Sequence, residues 1–175
     1  DSESILEVVA AAANTFLKVS EWSSDIWHQE VDKLLERLGV TINASHAYIF
    51  ENRQSEGGVI RMSMRNEWTA PGQVSDLDNP KFIDRLMEDD NLESWNERVS
   101  HGLPYIGDTK HLSTEDMDSL REQGLHALLD VPIQVDGYWW GTIGFDDTQG
   151  PRIWSTAEVD ALVLAANLLS AAIKR

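Results

Sequence analysis

Residues 126–147 read HALLDVPIQVDGYWWGTIGFDD, and the reading of this stretch decides the fold. Apolar residues recur at every second position, with Leu129, Val131, Ile133 and Val135 on one side of the chain. That period of two belongs to a strand. Asp136 and Gly137 follow, the pair a two-residue hairpin turn prefers because both positions tolerate positive φ. YWWGTIGFDD, residues 138–147, then returns as the partner strand. By parity, Trp139, Gly141, Ile143 and Phe145 share one face, and Tyr138, Trp140, Thr142 and Gly144 share the other. The first face is greasier, and its central glycine lets a helix backbone come close. The second carries a tryptophan, a hydroxyl and a gap, which suits a shallow cavity. Asp146 and Asp147 invite a catalytic reading. Adjacent aspartates on a strand point to opposite faces, however, and aspartate at a strand exit supports turns. The stretch is read as a hairpin strand.

Downstream, Ser155 and Glu158 form a capping box before a helical stripe of Val159, Leu162, Val163, Ala166, Leu169 and Ile173. At the other end, Ile5, Val8, Val9, Ala12, Phe16 and Val19 make a second stripe over residues 2–19. Ser23 or Ser24 caps a helix with Trp27, Val31, Leu34 and Leu38 on one face, and Gly39 stands where a left-handed end is wanted. HAYIFEN (46–52) and VIRMSMRNEW (59–68) alternate around a SEGG turn and form a second antiparallel hairpin. Asn79 and Pro80 open a helix with Phe82, Ile83 and Leu86 inward. NLESWNERVSHG (91–102) is a short helix with Leu92, Trp95 and Val99 on one face. LPYIGD (103–108) is an edge strand, since its proline donates nothing to a ladder. Ser113 and Asp116 start a further helix that Gly124 stops. Between Asp76 and Glu97 stand eight acids and two bases, read as a solvated outer face rather than a cation site.

The two terminal thirds carry a family likeness. LLDVPIQVDGYWWGTIGFDD (128–147), Arg152 and WSTAEVDALVLAANLLSAAI (154–173) resemble the C-terminal half of GAF domains, supported upstream by ASHAYIFEN (44–52). GAF domains are sensory modules of bacterial histidine kinases, cyclic-nucleotide enzymes and diguanylate cyclases. The resemblance implies an α+β, profilin-like and PAS-related fold: a central antiparallel sheet, the N- and C-terminal helices on one face, a ligand cavity on the other. It also implies a single domain over residues 1–175, excised from a larger cytoplasmic signalling protein and linked to an output domain.

Composition narrows the chemistry. The chain has no cysteine, which excludes thiolate chemistry, disulfides, Cys-based metal sites and a bilin held covalently through a thioether. The thiol-dependent sulfoxide reduction of some GAF-like proteins goes with it. A net charge of −16 repels nucleic-acid backbones and anionic lipid surfaces. No apolar run of transmembrane length and no signal peptide is evident. G-x-S-x-G, G-x-x-x-x-G-K, G-x-G-x-x-G and H-E-x-x-H are all missing, so no catalytic residue and no metal site is assigned. Of five scattered histidines, only His101 and His111 share a neighbourhood, with Asp108. Position in the fold nominates Tyr48, Trp68, Trp95, Tyr105, His111, Trp140 and Thr142 as ligand-binding, because aromatic walls with a few polar tips build small-molecule sites. Against this, seven tryptophans can simply fill a core.

The expected function is a non-catalytic sensor that binds an unknown small molecule and homodimerises through heptad-like seams on its terminal helices. The competing reading is a ligand-free dimerisation spacer.

Overall fold

The computed structural model describes residues 2–19, 21–87 and 93–174. Among the described residues, six strands form one antiparallel sheet in the order β3-β2-β1-β6-β5-β4. They are β1 (His46–Gln54), β2 (Ile60–Thr69), β3 (Arg85–Leu86), β4 (Tyr105–Gly107), β5 (Ala127–Val135) and β6 (Tyr138–Asp147). The two expected hairpins are β1–β2 and β5–β6, and β1 joins them by pairing with β6. Asp136 and Gly137 take φ of 50° and 82°, as their turn requires. The LPYIGD strand, β4, lies at an edge.

Three helices cover one face: α1 (Ser2–Lys18), α2 (Ser24–Ile42) and α5 (Thr156–Lys174). α2 rests on β1 and β2 and α5 on β5 and β6, while α1 packs chiefly against α2 and α5. Their stripes close on Ala47, Ile49, Leu129, Val131, Ile133, Ile143 and Phe145 to make the larger core. The box that starts α5 is reciprocal. Ser155 N–H donates to Glu158 Oε1 at 2.9 Å, and Glu158 N–H donates to Ser155 Oγ at 3.1 Å. α5 is long and apolar enough to cross a membrane by length and composition. Its Ala161, Leu162, Ala165, Ala166, Leu169 and Ala172 are buried within this protein. The expected dimer seams are spent the same way, since Ile5, Val9, Ala12, Phe16, Leu162, Ala166 and Leu169 all lie inside the core. Among the described residues, Leu6, Leu17 and Leu164 are the large apolar side chains that the terminal helices leave exposed.

A smaller cluster occupies the opposite face under α3 (Glu93–Ser100) and α4 (Thr114–Glu122). Trp95 and Val99 point inward from α3, whereas Leu92 lies outside the described residues. Ser113 caps α4, and Gly124 follows it with φ of 82°.

Two expectations need correction. α2 does not stop at Gly39 but continues to Ile42, and Asn43 supplies the left-handed end with φ of 58°. Gly39 serves packing instead: a Cβ there would lie 2.2 Å from Cε3 of Trp68. Asn79 and Pro80 do start a turn, with Asn79 Oδ1 accepting from Lys81 N–H, but the helix is a single turn, Pro80–Phe82. Asp84 takes φ of 52° and gives its N–H to Ser63 Oγ, which pulls the chain into β3 and leaves Ile83 51% exposed.

Candidate functional site

The cavity is built on the sheet face turned away from α1, α2 and α5, and two β-bulges decide which side chains reach it. In β1–β2 the register steps from Ile49↔Asn66 to Phe50↔Met64, so Arg65 is an extra residue. A bulge reverses the alternation of everything beyond it. Met62 and Met64 line the cavity and so does Glu67, while Asn66 and Trp68 face the helices. Asn66 Nδ2 bonds His28 and Asp32 of α2, each at 2.9 Å. In β5–β6 the register steps from Ile133↔Gly141 to Gln134↔Trp139, making Trp140 the extra residue. Thr142 and Asp146 remain on the cavity face, but Trp139 joins them there beside Trp95 and Trp140 packs under the helices.

The floor carries a buried polar centre. Asp130 accepts from Tyr48 Oη on one carboxylate oxygen and from Trp95 Nε1 on the other, both at 2.7 Å. Tyr48 reaches Asp130 across Gly144, which separates them in the sheet. A Cβ on Gly144 would stand 1.8 Å from Asp130 Oδ1 and 2.8 Å from Tyr48 Oη. Burial lifts Asp130 to a pKa of about 7, against the pull of its two donors. Burial also raises Tyr48 well above the usual phenol range, with the Asp130 charge adding to it.

One row further along the strands, His46 Nδ1 lies 2.7 Å from Asp146 Oδ1, and Nε2 lies 2.8 Å from the Val74 carbonyl oxygen. An imidazolium can donate to both at once. Burial opposes that charge, but the Asp146 hydrogen bond and carboxylate, the Val74 carbonyl and Glu67 outweigh it and raise His46 to about 9. Burial lifts the Asp146 carboxyl as well. Glu67 Oε1 accepts from Thr69 Oγ1, Ser75 Oγ and Asp76 N–H. Together with Thr148 Oγ1, which donates to Gln73, these contacts fasten residues 73–76 over the cavity as a lid.

The cavity volume is about 270 Å³, near the lower end for ligand pockets. Phe50 and Phe82 close one end edge to face, and Lys81 and Arg85 lie on the Phe82 ring. Ligand atoms of His46, Glu67 and Asp76 lie within 4.8 Å of one another. Both His46 nitrogens are already engaged, so a metal there would have to break the lid contact or the Asp146 pair. The His–acid contact meets one geometric condition for proton transfer, yet it presents no open nitrogen to a substrate.

Of the seven nominated residues, the cavity gathers Tyr48, Trp95 and Thr142. Trp68 and Trp140 face the helices, both placed there by a bulge. Tyr105 is fully buried in the smaller cluster, its phenol pushed up to about 12 by burial, and does not line the cavity. His111 sits in the turn after β4, where its Nδ1 and N–H meet Asp108 Oδ1. Asp108 Oδ2 accepts from Trp154 N–H, and His101 turns back to the Glu97 carbonyl, so these three hold local structure. His46, Glu67, Asp130 and Asp146 were missed. Two signals for them existed: His46, Tyr48 and Phe50 share a parity, and Asp130 interrupts an otherwise apolar run.

A family profile described as the GAF domain matches residues 27–173. The chain belongs to the GAF domain family. A curated relative, the methanogenesis regulatory histidine kinase FilI of Methanothrix harundinacea (strain 6Ac), is 36% identical over 166 residues, 95% of this chain. The chain spans only 18% of that kinase's length. Among solved structures, a far-red-absorbing dark state with bound biliverdin IXa superposes with a TM-score of 0.68 at 17% identity, covering 95% of this chain and 97% of that one. The phycoerythrobilin-bound GAF domain from a cyanobacterial phytochrome gives 0.67 at 13% identity, covering 99% and 94%. At such identities the likeness is one of fold: this GAF domain shares their sheet and helical layer.

Proposed function

We propose that this GAF domain is a non-catalytic sensory module of a cytoplasmic signalling protein. It holds a small molecule non-covalently in the cavity and relays its presence through α1 and α5 to a linked output domain of the histidine kinase or cyclase type. The observation that carries this reading is the division of labour in β6. Thr142 and Asp146 line the cavity, while Ile143 and Phe145 of the same strand pack into the helix-side core. A ligand that prefers one arrangement of β6 therefore biases the helices resting on it, and its effect equals its difference in affinity for the two arrangements. The kinase relative supports a linked output domain. The bilins belong to the structural neighbours; with no cysteine, this chain offers no thioether link to one. Homodimerisation would use the exposed Leu6, Leu17 and Leu164 rather than the buried seams.

Native mass spectrometry of protein purified from cells tests the reading. A reproducible non-covalent adduct, lost on denaturation, is expected. Persistent absence of any adduct would favour the ligand-free dimerisation spacer.

A further inference from the structure

Within that reading, which it depends on, the cavity wall names a ligand chemistry. Two of its oxygens are sealed from water without a hydrogen-bond partner: Thr142 Oγ1, in a residue 1% exposed, and Glu67 Oε2. Buried polar atoms are normally satisfied, so each of these marks a place where a partner is wanted. Glu67 Oε1 is held by three donors, which fixes the carboxylate, while Oε2 has no partner. Glu67 pairs with Tyr48 on β1, and Thr142 with Phe50, so the two oxygens stand on strands either side of β1. Two strand spacings separate those strands by roughly 10 Å. Tyr48 and Phe50 fill the space between them with aromatic surface.

Four carboxylates and three basic groups line the cavity. Glu67, Asp76, Asp130 and Asp146 line the cavity, with His46 the one basic group on its floor. The remaining two cations, Lys81 and Arg85, lie on Phe82, and Arg85 pairs with Met62, five residues back along β2 from Glu67. We infer that the cavity takes a small aromatic amine, its ammonium donating to Glu67 Oε2 and a polar group at the far end of the ring meeting Thr142 Oγ1. A cation gains there from Glu67 and Asp76 in a low-dielectric space and from the aromatic faces, against the charge of the nearby His46. A divalent metal fits less well, since coordination by His46 would strip the ring from Asp146 or from the Val74 carbonyl.

Calorimetry on this chain tests the inference with three probes: tyramine, its anionic counterpart 3-(4-hydroxyphenyl)propionate, and MnCl2 alone. Tyramine is expected to bind saturably, and the anion at least ten-fold more weakly. Glu67→Gln keeps an oxygen for the three lid donors but turns Oε2 into an N–H donor, and should weaken tyramine ten-fold or more. Thr142→Val deletes a hydroxyl that has no internal partner, so it folds normally and should weaken tyramine several-fold. Anion binding equal to or tighter than tyramine overturns the amine and leaves the sensory cavity standing. Binding of Mn²⁺ that excludes tyramine and disappears in His46→Gln overturns it in favour of a metal site. No binding of tyramine also overturns it, whereas a cellular adduct, sought separately by mass spectrometry, decides the broader function.

Discussion

The two faces of the sheet are made from the same strands by opposite rules. On the helix side, Ala47, Ile49, Leu129, Val131, Ile133, Ile143 and Phe145 are apolar and at most 3% exposed. On the cavity side, the alternate residues His46, Tyr48, Asp130, Thr142 and Asp146 are also buried, at most 7% exposed, yet each carries a polar group. The helix side gains free energy simply by excluding water. The cavity side can be buried only because nearly every polar atom has a partner. One face holds the fold together, and under the proposed function the other spends part of that stability on recognition.

The sharpest way to break this comparison is a cavity in the apolar face. Leu162→Ala should lower stability by about 2–5 kcal/mol, read as the midpoint of denaturant unfolding, while the Tyr48–Asp130–Trp95 contacts survive. Asp130→Ala is expected to cost less, about 1–3 kcal/mol, by orphaning the buried donors of Tyr48 and Trp95. A loss exceeding that of Leu162→Ala would mean the polar centre, not the apolar layer, is the main support.

pH sharpens the contrast further. His46 is raised from 6.5 to about 9 in the folded protein, so its stabilisation is complete below pH 6.5 and drains away as pH climbs through 9. Asp130 is raised from 3.8 to about 7, so its contribution is greatest below pH 3.8 and is lost as pH rises through 7. The thermal midpoint should therefore fall between pH 6.5 and 9, and Asp146→Asn should flatten that slope. An unchanged slope in the variant would separate His46 from Asp146. The smallest effect belongs to Thr142→Val, expected to shift the stability of the unliganded chain by no more than about 0.5 kcal/mol.

The two faces also differ in how far the sequence reveals them. Both hairpins, the Asp136-Gly137 turn, the Ser155/Glu158 box and the helix-side core follow from period and local turn chemistry, because those signals span neighbouring residues. The cavity face depends on bulges inside the two hairpins and on the pairing of β1 with β6, which are distant in sequence. Arg65 and Trp140 carry no mark of being the extra residues of bulges, and each misdirects one tryptophan: Trp68 and Trp140 were expected at the ligand and pack under the helices instead. Gly144 was read as the gap of a cavity, and that gap is filled by the Tyr48–Asp130 contact. His46, Glu67 and Asp146 meet through a lid whose path, through Val74 and Asp76, leaves no periodic trace.

Fluorine NMR of protein labelled with 5-fluorotryptophan tests the division between the faces without needing a ligand, with each resonance assigned by a single Trp→Phe variant. As Asp130 ionises, the Trp95 resonance should move with a midpoint near pH 7 and lose that response in Asp130→Asn. Trp140, on the apolar side, should stay flat over the same range. A titrating Trp140 beside a silent Trp95 would contradict the inverted register, and with it the account of a sheet with one packing face and one sensing face.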